Sequence, residues 1–271
     1  MRPTTPSLAL ALAGALLAPA LAHANPRPLP MSYTADTLPR GKLELEPAVD
    51  YTRVRARDHA SGEPAWYGAS TLQLEVEYGI TDTLELGLYV TTGLDSPDFD
   101  DKPRLLGGNG LKQRVRWRAT EPGGPFDLAL YGEISENERE IELEAKVILQ
   151  ANLGYGVRAV TNLWAERELY FDGRQEWVIN PTAAITWEAT PALHAGVECW
   201  LRAELPDDAP AMRGFNLGPH AYVGPTLMVD WGKLWVTTGL YLRVTEFDHE
   251  AQPGEGFGRF WGRIIFGIGI D

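Results

Sequence analysis

The chain has almost no cysteine and, after its first 24 residues, no long apolar run. Cys199 is the single cysteine among 271 residues, which excludes a disulfide framework and a cysteine-based metal site. Downstream of the N-terminal region, no segment reaches the roughly 18 consecutive apolar residues that a transmembrane helix requires. If this protein enters a membrane, it does so as a closed β-barrel, because only helices and closed barrels pair their backbone polar groups inside a bilayer.

Basic residues, serine and histidine are also scarce. The chain has 24 Lys and Arg against 37 Asp and Glu, a net charge of −13 that argues against nucleic acid as a partner. No serine stands in a nucleophile motif, no two histidines on one strand have metal-ligand spacing, and no phosphate-binding glycine-rich loop is found. We therefore expect no enzymatic activity, no cofactor and no metal site.

The first 24 residues have the pattern of a secretory signal peptide. Arg2 is followed by an Ala/Leu-rich apolar stretch over residues 8–21 and by Ala22-His23-Ala24, an A-x-A cleavage site. We expect residues 1–24 to be removed and residues 25–271 to form one domain. The alternative is an uncleaved membrane anchor, which the shortness of the apolar stretch disfavours.

Residues 72–90 alternate apolar and polar side chains on both sides of a short polar turn. Successive strand residues point to opposite faces, so this pattern predicts a β-hairpin with one apolar and one charged face. The same alternation predicts twelve strands in all, at residues 41–57, 66–80, 83–93, 109–119, 125–134, 139–150, 154–169, 175–189, 192–205, 216–230, 233–246 and 257–270. Four prolines fall inside these strands, where each deletes a ladder hydrogen bond: Pro47, Pro181, Pro219 and Pro225.

The connections between these strands alternate between short turns and longer or more polar loops, as in outer-membrane barrels. The first connection, 58–65, is of the longer kind, so both chain termini are expected in the periplasm. The predicted fold is all-β, a single antiparallel up-and-down transmembrane β-barrel of about 12 strands in the cell outer membrane. We expect the apolar faces to contact the lipid bilayer and the charged faces to enclose the lumen. A soluble periplasmic barrel that binds a ligand would have the two faces reversed.

Aromatic residues fall on both faces. Four tryptophans near predicted strand ends are expected to form an aromatic girdle at the lipid interface, with core packing as the alternative: Trp66, Trp117, Trp187 and Trp231. Other large residues lie on the polar parity and are expected to narrow the lumen: Tyr131, Arg158, Trp164 and Trp200.

Two segments carry a family resemblance. Residues 34–46 (TADTLPRGKLELE) and 74–89 (LEVEYGITDTLELGLY), with a shorter match at 129–133 (ALYGE), resemble a family of bacterial outer-membrane barrels labelled as transporters of the MetA pathway of phenol degradation. The resemblance implies a barrel fold and, loosely, transport. It implies no catalytic motif.

The segment 109–119 carries the strongest charge pattern. Its cations alternate with uncharged residues and share one face: Lys112, Arg114, Arg116 and Arg118. Acidic residues on neighbouring strands are expected to face the same lumen: Glu85, Glu133, Glu140, Glu142 and Glu144. Strands two positions apart are on the order of 10 Å from each other, and the small Ala129 on the intervening strand is expected to let the long side chains meet. The pattern indicates an interior salt-bridge network, a charged pore wall that selects solutes, or both.

The function that this pattern favours is an outer-membrane channel for the passive passage of small solutes, gated by extracellular loops. The longest loop, the acidic 94–108, is expected to be an ordinary solvated loop, with folding over the mouth or binding of a cation as the alternatives. One alternative is a plugged structural or adhesion barrel without transport. Another is an outer-membrane lipid-modifying enzyme, for which the chain offers no serine or histidine nucleophile site.

Overall fold

The structure is a computed structural model that describes residues 25–57, 64–94, 110–137, 139–207, 219–245 and 258–270. At residues 54–57, 64–69 and 94 it describes the backbone alone. The predicted signal peptide, most of the 94–108 loop and the side chain of Trp66 lie outside this description. No helix in the described residues is long and apolar enough to cross a membrane.

Thirteen antiparallel strands make up the described fold. They are β1 (Leu43–Arg57), β2 (Pro64–Thr81), β3 (Leu84–Leu94), β4 (Gly110–Arg118), β5 (Phe126–Glu136), β6 (Glu140–Gly154), β7 (Val157–Tyr170), β8 (Gln175–Ile179), β9 (Thr182–Thr190), β10 (Leu193–Pro206), β11 (His220–Asp230), β12 (Leu234–Arg243) and β13 (Phe260–Ile270). Consecutive strands pair, except that β8 does not pair with β9, and β1 pairs with β13, so the sheet closes on itself. The predicted barrel is confirmed.

The short strands β8 and β9 are two parts of one barrel position. Both pair with β7 on one side and with β10 on the other. Asn180 and Pro181 separate them, because proline has no N–H to give to the ladder. The barrel therefore has twelve strand positions, the number that the sequence predicts.

The other prolines lie where pairing fails on one side. Pro47 pairs with Leu74 of β2, whereas no pairs form between β1 and β13 at residues 46–47. Pro225 pairs with Val197 of β10, and the β11–β12 ladder lacks pairs at residues 224–225. Pro219 stands one residue before β11, so its predicted position inside a strand is wrong.

The two faces of the wall differ sharply in exposure. On β3, Leu88 and Val90 are 48% and 58% exposed, whereas Glu85 and Tyr89 are 0% and 2% exposed. The same contrast holds on β2, where the leucines and valines point outward and Glu75 and Glu77 are buried. In a closed barrel the buried residues of each strand face the interior. The charged faces therefore line the inside, and the apolar faces form the outer surface.

The two ends of the barrel carry different connections. Those after β2, β4, β6, β9 and β11 lie at one end, here called the turn end. Those after β1, β3, β5, β7, β10 and β12 lie at the other end, the loop end.

The segment before β1, residues 25–42, approaches β1 from the turn end. Strand periodicity does not predict its fold. Residues 25–40 form no strand, and residues 25–38 lie inside the barrel, where Leu29, Ser32 and Ala35 are fully buried.

Candidate functional site

Arg114 is the centre of an ion-pair network inside the barrel. The alternation of β4 points Arg114, Arg116 and Arg118 inward, and each of them is less than one-tenth exposed. The Arg114 Nε donates to Glu75 at 2.7 Å, and one terminal nitrogen donates to Glu85 at 2.5 Å. Its other terminal nitrogen donates to Glu77. A guanidinium suits this role because it presents several donors in a fixed plane.

The remaining cations of β4 extend the network along the strand. Arg116 donates to both carboxylate oxygens of Glu85 at 2.9 Å. Arg118 donates to Asp127 at 2.9 Å. Near the loop end, Lys112 lies 3.2 Å from Glu133 and 3.1 Å from Glu142. The strand therefore connects carboxylates of β2, β3, β5 and β6.

The partners expected on β6 are only partly correct. Lys112 reaches Glu142, but Glu144 pairs with Lys146 at 2.5 Å, and Glu140 accepts a hydrogen bond from Asn137 at 3.0 Å. The reason lies on the intervening strand. Ala129 is level with Arg118, whereas the bulky Tyr131 is level with Arg116 and Lys146. The space beside Ala129 therefore lies at the height of Arg118. It does not let Arg114 and Arg116 reach past β5 to the carboxylates of β6.

A second group of carboxylates lies in the loop half of the interior. Glu144 stands directly opposite Glu133 on one side and Glu166 on the other, while Glu168 stands opposite both Glu142 and Glu176. We call these six residues the acidic cluster: Glu133, Glu142, Glu144, Glu166, Glu168 and Glu176. Among the described residues, only three basic side chains pair with it: Lys112, Lys146 and Arg202. Directly opposed like charges are destabilising, so the cluster favours positive charge near it.

Arg202 contacts the acidic cluster, and the sequence analysis did not predict this contact. Its guanidinium lies 3.5 Å from Glu166, 3.0 Å from Glu168 and 3.2 Å from Glu204. The inward parity of β10 could have placed Arg202 in the lumen. Its partners could not be assigned, because β10 pairs with β8 and β9 and not with β7.

Residues 25–40 are here called the insert, and all of them except the exposed Pro39 and Arg40 occupy the turn half of the lumen. Inward-facing wall side chains accept hydrogen bonds from the insert's backbone N–H groups. Glu198 accepts from Ser32 at 2.5 Å, Asn162 from Tyr33 at 2.7 Å and Glu85 from Leu38 at 2.7 Å. The insert reaches the middle of the barrel, where the Tyr33 hydroxyl lies 3.1 Å from that of Tyr89.

Apolar contacts also hold the insert against the barrel wall. Its side chains belong to three buried clusters with the wall: Leu29 with Val160 and Ala184, Met31 with Trp200, Tyr222 and Tyr241, and Tyr33 and Ala35 with Ala129, Tyr131 and Ile148. Its acidic Asp36 pairs with Arg158 at 3.0 Å and with Arg118 at 3.4 Å. The large residues expected to narrow the lumen therefore do so largely by packing against the insert.

One group of carboxylates has the composition of a cation site. Oxygens of Glu46, Glu75 and Glu77 all lie within 4.8 Å of one another, and all three side chains are buried. Arg114 already binds Glu75 and Glu77. The guanidinium thus supplies the positive charge that a metal ion would bring, and the group is part of the ion-pair network.

Three of the four predicted girdle tryptophans can be located by side chain. Trp117, Trp187 and Trp231 are 47%, 51% and 64% exposed and point outward. All three stand at the turn end, near the ends of β4, β9 and β11. For Trp66, only the backbone in β2 is described.

Comparison with known proteins identifies the fold. No family model matches the chain, and no curated protein matches it. Among solved structures, an outer-membrane channel from Pseudomonas putida F1 matches with a TM-score of 0.59 and 11% identity over 87% of this chain and 98% of that one. The NanC porin matches at 0.56 with 10% identity over 82% and 98%, and the KdgM porin at 0.52 with 10% over 83% and 99%. The chain has the fold of an outer-membrane barrel. At this identity, the likeness shows the fold alone.

Proposed function

We propose that this protein is an outer-membrane channel through which small solutes pass passively, with both termini in the periplasm and no catalytic step. The observation that carries the proposal is the closed wall, with apolar side chains outside and ionisable side chains inside. The structural neighbours named as a channel and as porins support the same function. In this proposal, the residues predicted to line the pore set its charge and its width.

The acidic cluster gives the channel a preference for cations. Six carboxylates in the loop half of the lumen face three basic side chains. Carboxylate rings select cations in pores, because the wall potential raises the local cation concentration and repels anions. We therefore expect positively charged or neutral solutes to enter more readily than anions.

The solute class follows from the same charge. One structure of the KdgM porin is a complex with disordered oligogalacturonate, a polyanion. The acidic cluster disfavours such a solute here. The resemblance to the MetA-pathway family adds a small neutral aromatic as a candidate solute. The Trp200 and Tyr222 rings, which stack inside the barrel with centroids 4.0 Å apart, are buried in a cluster with Met31 of the insert and would offer an aromatic surface to this solute once Met31 leaves them.

A sealed structural barrel is the second candidate function, and the insert is the observation that favours it. Liposome swelling separates the two functions. Entry of small solutes supports a channel, whereas swelling no faster than in protein-free liposomes, by the full-length protein and by a variant without the insert, contradicts it.

Reversal potentials in planar bilayers under a KCl gradient test the cation preference. We expect the wild type to favour K⁺ and the double variant Glu144→Gln/Glu166→Gln to favour it less. Arg114→Ala with Arg116→Ala should change selectivity in the opposite direction, because it removes two inward cations. Glu121→Gln, at an exposed position in the β4–β5 turn, is the matched control and should leave selectivity unchanged. Equal reversal potentials in all four proteins would remove the pore-wall role.

A further inference from the structure

We infer that the insert, residues 25–40, is the gate of this channel. Seated in the lumen, it closes the turn half, and conduction requires its withdrawal toward the turn end. This inference rests on the proposed channel function and adds to it the element that opens and closes the pore.

The way in which the insert is held allows it to leave as a unit. In the described part of the chain, no backbone–backbone hydrogen bond joins residues 25–38 to a strand. The wall holds this segment through side chains, such as Asn162, which both accepts from Tyr33 N at 2.7 Å and donates to Tyr33 O at 2.9 Å. Withdrawal therefore breaks no sheet ladder and leaves the barrel closed.

A tether at the turn end fixes the point about which the insert would move. The first backbone bond to the wall is at Gly41, whose N–H donates to Gly79 O at 2.7 Å. Gly41 has a φ of +76°, a conformation that glycine adopts without strain. Residues before this point can reorient while β1 keeps its pairing.

The amino end of the insert has its own binding site in the barrel wall. The Asn25 nitrogen lies 2.7 Å from the fully buried carboxylate of Glu44, which also accepts from Trp235 Nε1 at 2.8 Å. Cleavage after Ala24 would turn this nitrogen into an ammonium and the hydrogen bond into an ion pair. The free amino terminus produced by processing thus fits a site built into the wall.

The lumen that the insert would vacate remains compatible with water. The wall groups that hold the insert's backbone include Glu85, Gln150, Asn162 and Glu198, all of which can bind water in its place. An emptied turn half would therefore be lined by these polar groups as well as by the apolar wall residues that the insert covers, and it would be continuous with the acidic cluster. This is the open state that the inference requires.

A reversible disulfide in the full-length chain tests the gate. Ser32 Oγ of the insert lies 2.7 Å from Thr182 Oγ1 of β9, so cysteines at these two positions are close enough to bond. The variant is Ser32→Cys/Thr182→Cys in a Cys199→Ala background, and its conductance is recorded in planar bilayers before and after reduction. We expect the oxidised protein to fall to the bilayer baseline and dithiothreitol to restore conduction. Equal conductance in the two states would overturn the inference.

Two further variants test whether the hydrogen bonds that hold the insert keep the pore closed. Asn162→Ala loses both of its hydrogen bonds to Tyr33 and should raise the open probability on the order of tenfold. Thr186→Val is the matched control, since the buried Thr186 hydroxyl has no hydrogen-bond partner among the residues that the structure describes. Its open probability should equal that of the wild type. An Asn162→Ala protein that opens no more often than the Thr186→Val protein would contradict the gate.

Deletion of residues 25–38 separates failure of the gate from failure of the channel. If the deletion variant conducts more than the full-length protein, the insert closes the pore and the inference stands. If both conduct equally, the channel stands and the gate is refuted. If both are silent although heat-modifiable mobility shows folded barrels, the proposed function fails and the gate fails with it.

Discussion

Replacing Arg114 by methionine tests whether the interior network stabilises the barrel. Its guanidinium and the carboxylates of Glu75 and Glu85 have 0% side-chain exposure, and that of Glu77 has 2%. Glu85 keeps Arg116 in the variant, whereas Glu75 and Glu77 lose their ion-pair partner. Removing one partner of a buried ion pair destabilises proteins by about 3–5 kcal/mol, because the other charge stays buried and uncompensated. We expect a loss of that size.

Equilibrium unfolding in guanidinium, followed by tryptophan fluorescence of the lipid-reconstituted barrel, measures this loss. The control is Arg174→Met, which removes an exposed pair with Asp172 at 2.8 Å. It should change the unfolding free energy little, because solvent-exposed ion pairs contribute little. A third protein, Arg114→Met/Glu75→Gln/Glu77→Gln, should recover most of the stability, since it also removes the unpaired charges. If Arg114→Met unfolds at the same denaturant concentration as Arg174→Met, the network has no structural role.

Two other predictions concern the beginning of the chain. A Cβ on Gly79 would lie 2.2 Å from Pro39 O, so Gly79→Ala should displace the tether and destabilise the barrel by about 1–3 kcal/mol, whereas Gly132→Ala, whose nearest contact is 3.9 Å, should not. Equal unfolding curves for the two variants would contradict the close approach. Terminal sequencing of protein purified from outer membranes should begin at Asn25, and retention of Met1 would contradict the predicted processing.

Strand periodicity predicted most of the wall. The alternation in β2 and β3 depends only on neighbouring residues, and the inward or outward direction of each side chain follows from it. The break at Pro181 shows the limit of this reasoning. A missing N–H interrupts the ladder there, but both halves of the strand keep the same neighbours, so the number of barrel positions is unchanged.

The interior could be predicted only in part. The cations of β4 were placed on the correct face, but the partners of Arg114 depend on which side chain of β5 stands at its height. The insert was not predicted at all. Its residues have no period, Pro26, Pro28 and Pro30 interrupt any strand, and its contacts join positions as distant as Ser32 and Glu198. Burial of an aperiodic segment against polar groups leaves no local signal.

Nitroxide scanning of β6 tests most directly which face of the wall meets lipid. Single labels are placed at Leu143 and Leu149, which are both 44% exposed, and at Glu144 and Gln150, which are 8% and 3% exposed, in a Cys199→Ala background. Collisions with dissolved oxygen, which concentrates in the bilayer, are compared with collisions with a water-soluble nickel complex. The account predicts high oxygen accessibility at both leucines and low values at the two polar positions. High oxygen accessibility at Glu144 and Gln150, or no alternation along β6, would contradict it.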